Sequence, residues 1–195
     1  MPSLREELFI SLLKEGDQSA YKELLQQFSN KVHNTSISIL QNEEDAEDVT
    51  QEVFIEVFKS VHNFKGEAKL STWIYRITVI KSLEFLRKKK RKKRFGIMQS
   101  LFGMESVLPI TDKQHFYHPG VQIENKERAS ILFAAIERLP EKQRTAFVLN
   151  KIEGLSYTDV ADVMKTSVPS IESLLFRAKQ NLQNLLADYY NKNEK

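Results

Sequence analysis

Asn42-Glu43-Glu44-Asp45-Ala46-Glu47-Asp48-Val49-Thr50-Gln51-Glu52-Val53-Phe54-Ile55-Glu56-Val57-Phe58-Lys59-Ser60-Val61 reads as one amphipathic helix. Asn42 is a good N-cap, and Glu43, Glu44 and Asp45 occupy the first turn, where the helix dipole favours carboxylates. Val49, Val53, Phe54, Val57, Phe58 and Val61 follow at i, i+4, i+5, i+8, i+9 and i+12, which makes one apolar stripe. From Glu43 to Glu56 the polar surface carries seven acids and no base. Like charges at helical spacing repel, so such a face is costly unless a basic partner covers it.

The same periodicity extends outward in both directions. Upstream, Leu8, Ile10, Leu12 and Leu13 predict a short helix over Leu4–Lys14 that stops at Gly16. Asp17 can cap a second helix carrying Tyr21, Leu24, Leu25 and Phe28, which runs on towards Leu40. Downstream, after Asn63-Phe64-Lys65-Gly66, a helix over Leu70–Arg94 is opened by the caps Ser71 and Thr72 and carries Trp73, Ile74, Ile77, Ile80, Leu83 and Leu86. From Phe95 to about Pro119 no apolar period survives, which predicts a flexible linker. Helical pattern returns over Val121–Leu139 and Lys142–Lys151. Ser156-Tyr157-Thr158-Asp159 is a capping box for a short helix. After the turn Lys165-Thr166-Ser167, Pro169 sits in the first turn of a last helix with Ile171, Leu174, Leu175, Ala178, Leu182, Leu185 and Leu186. A short helix, a tight turn and a longer amphipathic helix form the helix-turn-helix pattern, though a plain three-helix bundle shares it.

Composition agrees. In 195 residues there are six Gly, five Pro and no Cys, and no run of Val, Ile and Thr with hairpin turns, so the fold is all-α. The absence of Cys excludes a disulfide scaffold, a thiol nucleophile and a Cys zinc site. His115 and His118 stand at i, i+3 with the other His far off at 33 and 62, so no metal site and no cofactor is expected. No Gly-rich phosphate loop or Ser/His/Asp order supports an enzyme. The longest uncharged stretch, Val32–Asn42, has eleven residues, short of the ~18–20 of a membrane span, and no secretory signal opens the chain. A cytoplasmic location is the expectation.

Charge is segregated. Residues 1–86 hold 14 acids and 9 bases, residues 87–94 are eight consecutive bases, and the rest is neutral. An acidic patch and a basic block imply two partners, one basic and one polyanionic.

Two sets of motifs then resemble a known family. Asp45-Ala46-Glu47-Asp48-Val49-Thr50-Gln51-Glu52-Val53-Phe54, Phe64-Lys65-Gly66-Glu67 and Leu70-Ser71-Thr72-Trp73-Ile74-Tyr75-Arg76-Ile77 resemble region two of extracytoplasmic-function sigma factors. Leu139-Pro140-Glu141-Lys142-Gln143-Arg144, Glu153-Gly154-Leu155-Ser156-Tyr157 and the helix-turn-helix resemble region four. The resemblance implies two small helical domains, 1–94 and 121–195, joined by a linker over 95–120. It implies a subunit that binds core RNA polymerase, directs it to promoter DNA and assists melting, with an anti-sigma factor as a further partner.

Residue by residue, Asp45, Asp48, Gln51, Glu52 and Phe54 are expected to hold core polymerase. Phe64, Lys65, Ser71, Thr72, Trp73, Tyr75, Arg76, Lys81, Arg87, Lys88, Lys89 and Arg91 are expected at the minus-ten DNA, the aromatics stacking on bases and the cations on phosphates. Trp73 also fits the core stripe with Ile77. Ser170, Glu172, Ser173, Phe176, Arg177 and Lys179 are expected in the major groove of the minus-thirty-five element. The chain departs from the family at Ile80, where Asn is common, and at Glu172 and Leu174, where bases are common. A helix-turn-helix response regulator and a nonspecific helical nucleic-acid binder remain as alternatives. The first would need βα alternation for a receiver domain, which residues 1–94 lack.

Overall fold

A computed structural model describes residues 4–101 and 126–193. Among the described residues there are eight α-helices and no strand: α1 (Leu4–Glu15), α2 (Gln18–Leu40), α3 (Glu43–Ser60), α4 (Leu70–Leu101), α5 (Lys126–Glu137), α6 (Glu141–Phe147), α7 (Tyr157–Met164) and α8 (Val168–Asn193). A 3-10 turn, Val61–Asn63, follows α3, and one π-helical turn, Val148–Ile152, follows α6.

The caps are where the sequence puts them. Asp17 accepts a hydrogen bond from the Ala20 N–H, Asn42 from the Asp45 N–H at 2.8 Å, and Ser156 from the Asp159 N–H. Two boundaries differ. Helix α4 already starts at Leu70, so Ser71 and Thr72 lie inside its first turn instead of capping it. It also runs to Leu101, past the expected end at Arg94, so the first part of the supposed linker is helix. The remainder of that linker, with His115 and His118, lies outside the described residues.

Two hydrophobic cores form. The first joins α1–α4 through Leu13, Leu24, Phe28, Val32, Val49, Val53, Val57, Phe64, Leu70 and Ile74. The second joins α5–α8 through Phe133, Ile136, Leu149, Val160, Val163, Ile171, Leu175 and Ala178. The second core also takes in Ile39 of α2 and Tyr75 and Val79 of α4, so the two halves pack against each other. Helix α4 thereby presents Ile74 and Ile77 to one core and Tyr75 and Val79 to the other. The Gln41 amide ties the end of α2 to the Phe133 carbonyl of α5 at 2.7 Å.

The Asn42 cap starts the acidic helix. Asn42→Ala should cost about 1 kcal/mol and Asn42→Ser much less, as read by chemical denaturation.

Candidate nucleic-acid interface

The nucleic-acid readings fall on two helices, α4 and α8, and the structure treats them differently. On α8 the face is open. Ser170, Glu172, Ser173, Phe176, Arg177 and Lys179 are all exposed, while Ile171, Leu175 and Ala178 between them fill the core. Arg177 donates from Nε to the Ser173 carbonyl at 3.2 Å, which lays its side chain along the helix. The turn before α8 is closed by Lys165 in the left-handed region at φ 51°.

On α4 the expected DNA face is covered. The Tyr75 hydroxyl donates to the Glu153 carboxylate at 3.3 Å, and Tyr75 is 9% exposed. Arg76 donates from Nη2 to the Asp162 carbonyl at 2.6 Å. The Lys69 ammonium meets the Asp159 carboxylate at 3.2 Å, and Arg87 meets Glu141 at 2.6 Å. Two more cations are held within the first half: Lys81 by Glu56 at 3.0 Å, and Lys89 by Asp45. Lys65, Lys88 and Arg91 are exposed. Phe64, expected in an open loop, is 6% exposed in the first core, with its ring 5.1 Å from that of Trp73. Trp73 and Ser71 are half-buried and Thr72 is buried.

On α3, Asp48, Gln51 and Glu52 are exposed, Phe54 is half-buried, and Asp45 is drawn into its pair with Lys89. Ile55 escaped the sequence reading, and Phe58, which that reading placed on the apolar stripe, faces outward instead. Ile55 and Phe58 are 53% and 61% exposed, beside those polar groups. The signal was there: Val49, Val53 and Val57 at strict four-residue spacing suffice to bury the helix, which leaves Phe58 over at the edge. Its ring lies 4.8 Å from that of Tyr21.

Glu153 and Glu141 also escaped notice. Burial pushes the Glu153 carboxyl up to about 7, against hydrogen bonds from the Tyr75 and Thr35 hydroxyls and the Lys31 charge, which pull it down. The Tyr75 phenol is raised by its own burial and then by the Glu153 charge. Asp159 is lowered by the Ser156 hydroxyl and by Lys69. Arg144 is buried with its Nε unpartnered, and desolvation lowers it against the fields of Glu137 and Glu141.

These two halves match two family descriptions. Residues 24–92 match sigma-70 region 2 and residues 130–182 match sigma-70, region 4. The ECF RNA polymerase sigma-E factor of Haemophilus influenzae is 30% identical over 182 residues, covering 93% of this chain and 95% of that protein. The RNA polymerase sigma-H factor of Pseudomonas aeruginosa is 28% identical over 191 residues, covering 93% of this chain and 94% of that protein. In fold, CnrH, solved in complex with the cytosolic domain of CnrY, superposes with a TM-score of 0.67 at 19% identity, covering 94% of this chain and 97% of that one. The Bartonella quintana sigma factor RpoE, solved with the anti-sigma factor NepR, gives 0.61 at 22% identity, covering 86% and 96%. The chain belongs to the ECF sigma factors of RNA polymerase. Its function is that of an alternative sigma factor, which directs the polymerase to promoters. The family consists of non-catalytic initiation factors, and among the described residues no helix is long and apolar enough to cross a membrane.

Because its folded pKa lies above the unfolded value near 4.5, Glu153 stabilises the fold fully below that pH and loses its contribution as pH rises through about 7. Wild-type stability relative to Glu153→Gln should therefore fall between about pH 4.5 and about pH 7 and level off above. Paired thermal melts across that range read the difference, with Tyr75 and Lys31 as the facing titratable groups.

Proposed function

We propose that α3 is the polymerase-docking helix, α8 the minus-thirty-five reader and α4 the minus-ten helix, with the chemistry of initiation left to the polymerase. The observation that carries the reading is the open face of α3, where Asp48, Gln51 and Glu52 surround Ile55 and Phe58 in the free protein. Exposed acids beside exposed apolar side chains suit a basic protein surface, with charge steering the encounter and apolar area holding the contact. Asp45 is paired with Lys89 of α4 in the free protein. Phe64 and Thr72 lie under the minus-ten face and position it. Lys65, Ser71, Trp73, Tyr75, Arg76 and the run Arg87–Arg94 supply the contacts, and Lys81 is held by Glu56. An anti-sigma factor fits as a partner because the Bartonella protein, which shares this fold, was solved with the anti-sigma factor NepR. A cytoplasmic site of action follows from the polymerase as partner.

Asp48→Lys with Glu52→Lys should weaken binding to core polymerase at least tenfold and leave helicity intact, since both side chains are exposed. Promoter-specific transcription reconstituted with core polymerase tests the whole assignment, and unchanged affinity for core would remove α3 from it.

Glu172 is the position on α8 where this chain carries an acid in place of a base. It is exposed one turn into the helix, and among the described residues no ion pair holds it. A carboxylate repels phosphate, so its productive use in a major groove is to accept a hydrogen bond from the exocyclic amine of cytosine. Glu172→Gln should shift the preference at one base pair of the minus-thirty-five element by roughly 1–3 kcal/mol and leave the minus-ten preference alone. Selection from randomised promoters reads both; the same upstream sequence enriched by both proteins would assign specificity elsewhere on α8.

A further inference from the structure

Ile80 is 48% exposed, and among the described residues it is the only large apolar side chain of α4 left so open. The other apolar side chains of Trp73–Leu86 pack into one core or the other, whereas Ile80 belongs to neither. At 100° per residue, Arg76, Glu84, Arg87 and Arg91 lie within about 40° of it in projection, so all five share one stripe of the helix. At 1.5 Å per residue, the three arginines stand about 6, 10.5 and 16.5 Å from Ile80 along the axis, Arg76 before it and the others after. Those separations match about two, three and five steps of a nucleic-acid strand at 3.4 Å per phosphate. Between Arg76 and Arg87 the stripe carries no cation. Its one charge there is the exposed Glu84, whose field reaches Lys81 and Arg87. A carboxylate keeps phosphate away, so a strand gripped at Arg76 and Arg87 offers Ile80 a base edge and not its backbone.

We propose that Ile80 reads the methyl group of one thymine in the minus-ten element, so that this promoter position is selected by apolar contact instead of hydrogen bonding. The proposal rests on the assignment of α4 as the minus-ten helix. An isoleucine side chain has neither donor nor acceptor, so the hydrogen-bonding pattern of a base edge is invisible to it. The thymine methyl is the apolar group that a base presents in the major groove, and adenine, guanine and cytosine lack it. Set against one of those three, Ile80 would cover polar edge atoms and leave them unpaired, which costs affinity in its turn. Removing one methyl from water is worth roughly fourfold in binding. Arg76 and Arg87 are engaged at the seam between the two halves in the free protein, by the Asp162 carbonyl and by Glu141. Those contacts are polar and exchangeable for phosphate, while the open side of Ile80 borders a groove with Leu83 and Met164. On this stripe the arginines position and Ile80 specifies.

The test uses holoenzyme reconstituted from the full chain and core polymerase, on a promoter that the wild-type protein selects from a randomised library. Each thymine of its minus-ten element, on either strand, is replaced singly by deoxyuridine, which keeps the base pairing and removes only the methyl. One of these replacements should weaken promoter binding by the wild type roughly fourfold, and Ile80→Asn should be indifferent to it. Ile80→Val keeps an apolar surface and should stay sensitive at the same position. Far-UV helicity should be retained in both variants, because the side chain is exposed. Comparing proteins on the same pair of DNAs cancels any effect of the methyl on melting of the duplex itself. Indifference of the wild type at every thymine overturns the proposal. Equal sensitivity of Ile80→Asn also overturns it, since the methyl then belongs to another residue. Arg76→Ala and Arg87→Ala separate this reading from the one beneath it. If they weaken promoter binding while deoxyuridine is silent, α4 remains the minus-ten helix and only the methyl contact fails. If they too leave binding unchanged, the assignment of α4 fails and the contact with it.

Discussion

Everything in this molecule depends on α4 having to satisfy two cores at once. A helix at the edge of one bundle needs a single apolar stripe, and its other faces can be polar. Here Ile74 and Ile77 point into the first core, Tyr75 and Val79 into the second, and Leu86 packs against both. With side chains 100° apart in projection, two stripes on one helix leave a narrow strip for solvent, and Ile80 occupies it. The stretch Trp73–Ile80 is accordingly apolar nearly all round, which is the composition of an interior helix.

That double duty sets the character of the seam. A purely apolar seam would fuse the halves, and a purely polar one would leave them independent. The mixture seen here joins a few buried side chains to ion pairs that salt screens, so its strength depends on ionic conditions and on pH through Glu153. Glu153 owes its position to the π-helical turn Val148–Ile152, which buries Val148 and Leu149 and turns the chain towards α4. Gly154 follows at φ 71°, a left-handed conformation that a side chain would strain, so the turn can close and α7 can begin two residues on with its Ser156 cap.

Much of this was legible in the sequence because it is local. Caps are read from a residue and its neighbour three positions on, and Asp17, Asn42 and Ser156 were placed correctly on that basis. The alternation of exposed and buried positions on α8 followed from its period. The seam was not legible. Tyr75 and Glu153 are 78 residues apart and Lys69 and Asp159 are 90 apart, and no spacing rule reaches so far. Tyr75 and Arg76 were read as groups awaiting DNA, which their chemistry supports; the sequence carries no sign that the Glu153 carboxylate and the Asp162 backbone carbonyl of the same chain reach them first. Phe64 shows the opposite error. A loop position beside Gly66 suggested exposure, but the 3-10 turn after α3 carries its ring inward onto Trp73.

The far end of α4 has a consequence of its own. The helix is 32 residues long, about 48 Å; it is packed as far as Leu86, and Arg87–Arg94 beyond are exposed. Over Arg87–Arg94 each i, i+3 and i, i+4 pair brings two cations together, so the arm is a helix under internal electrostatic pressure. Asp45 and Glu141 relieve part of it near the bundle, at Lys89 and Arg87. Beyond them the relief comes from the ion atmosphere. A polyanion laid along such an arm would replace that atmosphere and remove the pressure in the same act, so phosphate binding there would also stabilise the helix.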